Sequence, residues 1–305
     1  MLKLQPKPII CQTSPWGLGN KLLCIATSLR ICDILKRPMI LRWDKASHCN
    51  CHFHDLFCDI PGVEVQTGGG GGMWEVDRDN VPWDTFTINS PDYVQFKHEK
   101  IHGGRGMIAY SGDIDLSPYF KKIDPLPHIK EEITKFVEEN DVKNTVGIHF
   151  RGTDKGNNPW YDRYIRLIQK VGQRSKILLC TDDGDIERKI IEESGMGHRI
   201  VSYKKTKWTD KLDNREWRLY SPINRDVQCL IESVIDMWLL ANTRVIVYGI
   251  GTFGVCAAHV NHVPKVPIAL REHSLFLFYG HVDMNANRKE KKIMELISMH
   301  SRKLL

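Results

Sequence analysis

From residue 146 onward, short apolar runs alternate with stretches of helical periodicity, and that alternation leaves few folds open. Strand-like runs at residues 146–150, 176–180, 199–203, 244–248 and 266–270 are separated by helix-like segments at 162–171, 185–194 and 226–241, with a short helix after the turn at 249–254. Apolar strands each followed by a helix predict an α/β fold, a parallel sheet with right-handed crossovers. In the helix at 226–241, Val227, Leu230, Ile231, Val234 and Trp238 form one apolar stripe, as packing on such a sheet requires.

The first half opens with a βαβ unit. A strand at 8–13 is followed by Trp16-Gly17-Leu18-Gly19-Asn20, an apolar-periodic helix at 21–35, a stop at Arg37-Pro38 and a strand at 39–43. Beyond Trp43 the pattern loosens through a Cys/His-rich stretch and five consecutive glycines at 68–72, until a helix at 130–140 leads into the second half. A chain of 305 residues exceeds the usual size of one core, so two domains are expected.

With 42% hydrophobic and 26% charged residues the composition is that of a globular chain. The formal charge of +6 favours an anionic ligand such as a nucleotide, but no dense basic tract points to nucleic acid. Nine cysteines, at positions 11, 24, 32, 49, 51, 58, 180, 229 and 256, are odd in number and scattered, which fits reduced thiols. The amino terminus has no apolar signal core and no run approaches the length of a membrane span, so a soluble cytoplasmic protein is expected.

The chemistry gathers where strands end. Gly147-Ile148-His149-Phe150-Arg151-Gly152-Thr153-Asp154-Lys155 runs from a buried strand into charged groups, and open α/β sheets bind ligands beyond the carboxyl ends of their strands. Arg151 and Lys155 suit a diphosphate, one as a bidentate fork and the other as a movable point charge, with Asp154 orienting one of them; a surface turn with a local ion pair is the plain alternative. Thr181-Asp182-Asp183-Gly184 emerges on the same edge, where its carboxylates bind ribose or base, hold the arginine, or cap the next helix. Gly249-Ile250-Gly251-Thr252-Phe253-Gly254 matches the dinucleotide fingerprint and taken literally predicts NAD, with Glu272 as the ribose acid. Too little chain follows it to complete a dinucleotide fold. The same turn presents backbone N–H groups and the Thr252 hydroxyl to phosphate without any nicotinamide.

Other segments carry weaker signals. The spacing of His48, Cys49, Cys51, His52, His54 and Cys58 fits no common structural zinc site. Eight Lys or Arg between Arg199 and Arg225, mixed with Tyr203, Trp208, Trp217 and Tyr220, form a solvated loop or a cover over an anionic donor. Asp77, Arg78 and Asp79 follow the glycine run and offer a general base.

Several of these residues line up with one family. His149-Phe-Arg151-Gly-Thr-Asp154-Lys155 resembles the His-x-Arg-Arg-Thr-Asp-Lys element of the core alpha-1,6-fucosyltransferases and bacterial nodulation fucosyltransferases, and more distantly the protein O-fucosyltransferases. The glycine loop at Gly17, Gly19 and Asn20, the strand end Thr181-Asp182-Asp183, and Ile235-Asp236 followed by Gly251-Thr252-Phe253 are similar to further elements of that family, in the same order. The resemblance implies a GT-B fold: residues 1–140 as an acceptor-side Rossmann-like domain, 141–274 as the nucleotide-sugar domain facing it across a cleft, and 275–305 as a helix returning to the first. It implies inverting, metal-independent transfer without a cofactor, from a nucleotide sugar to a glycan or glycoprotein acceptor. Arg151 would hold the diphosphate, Asp182, Asp183 and Asp236 the nucleoside, and residues 251–253 the phosphate. Two positions depart from the family pattern. Gly152 replaces the second arginine, which opens UDP-xylose as a donor beside GDP-fucose, and Pro159 falls where the core enzymes carry a glutamate base. The base is then sought among Asp79, Asp162 and Asp44.

Overall fold

Two strands of the second half that precede helices end at a capping or glycine stop: Ile177–Thr181 runs into Asp183, which caps the next helix, and Val245–Tyr248 runs into Gly249. The structure is a computed structural model that describes residues 8–13, 17–43, 45, 48–67, 115–152, 161–208, 225–249, 251–268, 295 and 299. It divides into two compact units, residues 1–126 and 127–305. The segment 275–305, expected to return to the first domain, lies outside the described residues apart from Glu295 and Met299, both helical.

In the first unit β1 (Ile9–Thr13), α1 (Leu18–Leu35) and β2 (Met39–Trp43) make the expected βαβ, and β3 (Val63–Thr67) adds a third parallel strand in the order β1-β2-β3. Every residue of α1 from Lys21 to Leu29 is buried, so this helix is covered on all sides. It ends at Lys36, which takes the left-handed conformation (φ 53°) just before Pro38. The only charge in its buried stretch is Lys21, whose Nζ donates to Thr13 Oγ1 at 3.0 Å and lies 4.7 Å over the Trp43 ring. All nine cysteines are free thiols.

The second unit begins with α2 (Pro127–Glu139), which buries Ile129, Ile133 and Val137 at four-residue spacing. This helix packs on the later helix Val227–Leu240, so the division falls ahead of it, at residue 127. There follow β4 (Val146–Phe150), α3 (Tyr161–Gly172), β5 (Ile177–Thr181), α4 (Gly184–Ser194), β6 (Ile200–Val201), α5 (Val227–Leu240), β7 (Val245–Tyr248), α6 (Phe253–Val260) and β8 (Lys265–Pro267). All five strands are parallel, in the order β6-β5-β4-β7-β8. From β4 the chain builds outward through β5 and β6, then returns to the other side for β7 and β8. The order therefore reverses at β4.

Alternation along β4 sorts its side chains. Val146, Ile148 and Phe150 join the core with Tyr164, Leu167 and Ile168 of α3, while Gly147 and His149 face the side of α5 and α6. Gly147 is required by proximity: a Cβ there would meet Thr243 Oγ1 at 2.7 Å and Leu240 at 3.0 Å. Gly147→Ala is therefore expected to destabilise the second unit by about 1–3 kcal/mol in denaturant unfolding. An unchanged midpoint would mean that β4 does not lie against the 240–243 turn.

Candidate functional site

In a parallel sheet the crevice lies where strand order reverses, beyond the carboxyl ends of the strands. Here that point falls between β4 and β7, and Arg151 is the first charged residue past β4. Its guanidinium reaches toward the turn after β7, where a Cβ on Gly251 would lie 2.9 Å from Arg151 Nη1. Gly251 has φ +111°, a conformation closed to L side chains, so strain and space both demand glycine. The turn opens α6, whose first backbone N–H groups have no partner within the helix and favour an anion. Phe253 stacks on the His149 ring, with centroids 4.8 Å apart and planes at 22°, and ties α6 to the end of β4. Tyr164 Oη donates to His149 O at 3.0 Å from the opposite face. The structure thus brings His149, Arg151, Gly251, Thr252 and Phe253 to one edge.

The glycines of the fingerprint have packing roles of their own. A Cβ on Gly249 would meet the Tyr164 hydroxyl at 2.5 Å, and one on Gly254 would meet Tyr248 Cβ at 2.5 Å. The pattern that suggested NAD is accounted for by these contacts and by the approach of Arg151.

On the β5 side the edge continues through Gly152 and the paired aspartates. The Gly152 amide donates to Asp182 Oδ1 at 2.7 Å, and Asp182 Oδ2 takes Arg225 Nη2 at 3.3 Å. Position 152 is closed to side chains, since a Cβ would lie 2.7 Å from Asp183 Cβ and 3.3 Å from Ile186 Cγ1. The glycine that departs from the Arg-Arg element therefore has a steric cause in this chain. Asp183 caps α4: its Oδ1 accepts from the amides of Asp185 at 2.9 Å and Ile186 at 3.2 Å.

Asp236 on α5 is buried and paired, with Lys205 Nζ 2.8 Å from its Oδ2. Burial pushes the Asp236 carboxyl up, against the pull of Lys205. Burial also works against the charge on Lys205, but Asp236 outweighs it with help from Cys180 and Glu187, and the ammonium is held above its ordinary range. Lys205 lies 4.8 Å over the Trp208 ring, and that indole rests on Gly184, the first residue of α4. The segment is fastened by Glu232, 1% exposed, which accepts from the Thr206 amide at 2.9 Å, the Thr206 hydroxyl, the Lys207 amide at 3.2 Å and Gln228 Nε2 at 3.0 Å. Residues 203–208 are thus tied to α5 by a buried carboxylate that sequence periodicity gives no reason to single out. Arg225 was likewise one cation among eight.

The other expected site residues are elsewhere. Gly17, Gly19 and Asn20 lie at the start of α1 in the first unit, with Gly17 as its N-cap. Asp162 is exposed in the first turn of α3. Asp44, Asp79, Asp154, Lys155 and Pro159 lie outside the described residues. In the Cys/His-rich stretch Cys49 and Cys51 are buried while His54 turns to Asp59 at 2.9 Å; among the described residues no three His, Cys, Asp or Glu are grouped to hold a metal. Nor is any helix among them long and apolar enough to cross a membrane.

No protein-family model matches the chain, and no curated protein matches its sequence. Solved structures do match it. The NodZ alpha-1,6-fucosyltransferase soaked with GDP-fucose superposes with a TM-score of 0.54 at 17% identity, covering 83% of this chain and 93% of that one. The fucosyltransferase NodZ from Bradyrhizobium gives 0.53 at 18% identity over 82% and 92%. POFUT1 in complex with GDP-fucose gives 0.51 at 11% identity over 89% and 100%. The chain has a fucosyltransferase-like fold. At these identities the likeness speaks for the fold alone.

The packing at Gly152 gives a direct check. Both Gly152→Ala and Gly152→Arg are expected to destabilise the second unit, the alanine by about 1–3 kcal/mol and the arginine by more. A Gly152→Arg protein that melts like wild type would show that the turn after β4 does not press on the start of α4.

Proposed function

We propose that the chain is a glycosyltransferase of GT-B architecture that moves a sugar from a nucleotide-sugar donor to a hydroxyl of a glycan or glycoprotein acceptor. One observation carries the reading: Arg151 extends over the Gly251 turn at the point where strand order reverses, beside the N-terminus of α6. In this reading the two units are Rossmann-like domains, the second holding the donor. The departing diphosphate gains charge as the glycosidic bond breaks, so a preorganised arginine aimed at it stabilises the transition state more than the bound donor. The α6 amides take the same phosphate oxygens, and the step is metal-independent and inverting. A carboxylate takes the acceptor proton, with Asp79, Asp162 and Asp44 as the candidates.

GDP-fucose is the first donor to test, because two of the fold neighbours above, one NodZ structure and POFUT1, were obtained with it, and UDP-xylose is the second. Binding of GDP or UDP at 100 times its Kd is expected to stabilise the protein by about 2.7 kcal/mol, read as a rise in Tm, whereas NAD gives none. Stabilisation by NAD alone would end the transferase reading. Arg151→Ala is expected to lower transfer about 10²–10³-fold, and wild-type transfer is expected to continue in excess chelator. Loss of activity on chelation would contradict the metal-independent step. Among the aspartates, the base is the one whose asparagine variant loses transfer but still binds the nucleotide.

A further inference from the structure

The turn that presents Arg151 also carries a negative charge. Asp182 Oδ1 lies 2.7 Å from the Gly152 amide, one residue along from Arg151. A lone carboxylate next to the residue that follows Arg151 would repel a diphosphate held by that arginine. Its other oxygen is met by Arg225, 3.3 Å away, in a pair whose side chains are only 15% (Arg225) and 23% (Asp182) exposed and thus weakly screened. Arg225 is fixed from the other direction as well, since the next residue, Asp226, caps α5 by accepting from the Cys229 amide at 3.0 Å. Residue 152 itself puts no side chain over Asp182: a Cβ there would lie 3.6 Å from Asp182 Oδ1.

We propose that Arg225 is the second cation of the donor site, held by Asp182 and donating to the diphosphate alongside Arg151. A guanidinium presents its N–H donors in a rigid plane that suits phosphate oxygens, and the contact with Asp182 fixes that plane. The chain cannot seat an arginine at 152, and it brings one in from the start of α5, across Asp182. This inference rests on the nucleotide-sugar reading.

The test compares GDP with GMP, which lacks the second phosphate, by calorimetry on the full chain. Arg225→Gln is expected to weaken GDP about tenfold to hundredfold and GMP by less than about threefold, while Arg225→Lys, which keeps the charge, recovers most of the GDP affinity. Equal losses for GDP and GMP, or no loss, would overturn the proposal, as would full recovery of GDP binding in Asp182→Asn/Arg225→Gln, since Arg225 would then act only by neutralising Asp182. Melting curves of each variant separate loss of fold from loss of binding. If wild type bound neither GDP nor UDP, the transferase reading would fall and this inference with it. If wild type bound and Arg225→Gln bound equally well, only this inference would fall.

Discussion

The approach of the Arg151 guanidinium to Gly251 requires three things at once. β4 must be central, so that the strand leaving it delivers its next side chain into the crevice where strand order reverses. Residue 251 must be a glycine, both for its positive φ and for the 2.9 Å left to Nη1. And α6 must start there, held to β4 by the stack of Phe253 on His149. Removing any one of these moves the arginine or fills the space it reaches into. The buried alternation of β4 against α3 and α5 is what makes the placement rigid.

Charge around this edge is handled by pairing. Asp182 is met by Arg225, Asp236 by Lys205, and Asp226 by Lys207. Breaking a buried pair leaves an uncompensated charge and costs far more than the pair's net contribution, so the first two contacts, which are largely buried, specify geometry more than they add stability. Glu232 follows the same logic with neutral donors, accepting four of them to hold the 203–208 segment to α5. The basic stretch after β6 is, in its described part, a segment anchored through two buried acids of one helix.

Much of this fold is legible along the chain because β4 and β5 are buried on both faces and α4 and α5 begin after capping aspartates. β2 and β4 fall at the residues their apolar runs mark, and α4 begins after the aspartate that caps it. β3 was missed because Val63-Glu-Val-Gln-Thr67 is a half-exposed strand with polar residues on alternate positions and no glycine or proline stop visible after it other than the long glycine run. Within the site, Arg151 and the Gly251 turn could be read from their position after strands. Arg225, Lys205 and Glu232 could not, because their roles come from partners 43, 31 and 26 residues away. The glycine at 152 read as a lost cation in sequence and is a packing requirement in three dimensions.

A crystal structure of the protein soaked with GDP tests the central claim most directly. The expected result is density for the two phosphates between the Arg151 guanidinium and the backbone of residues 251–253, with the Gly152–Asp182 bond intact. Nucleotide bound away from the β4–β7 edge, or bound there with Arg151 turned aside, would contradict it.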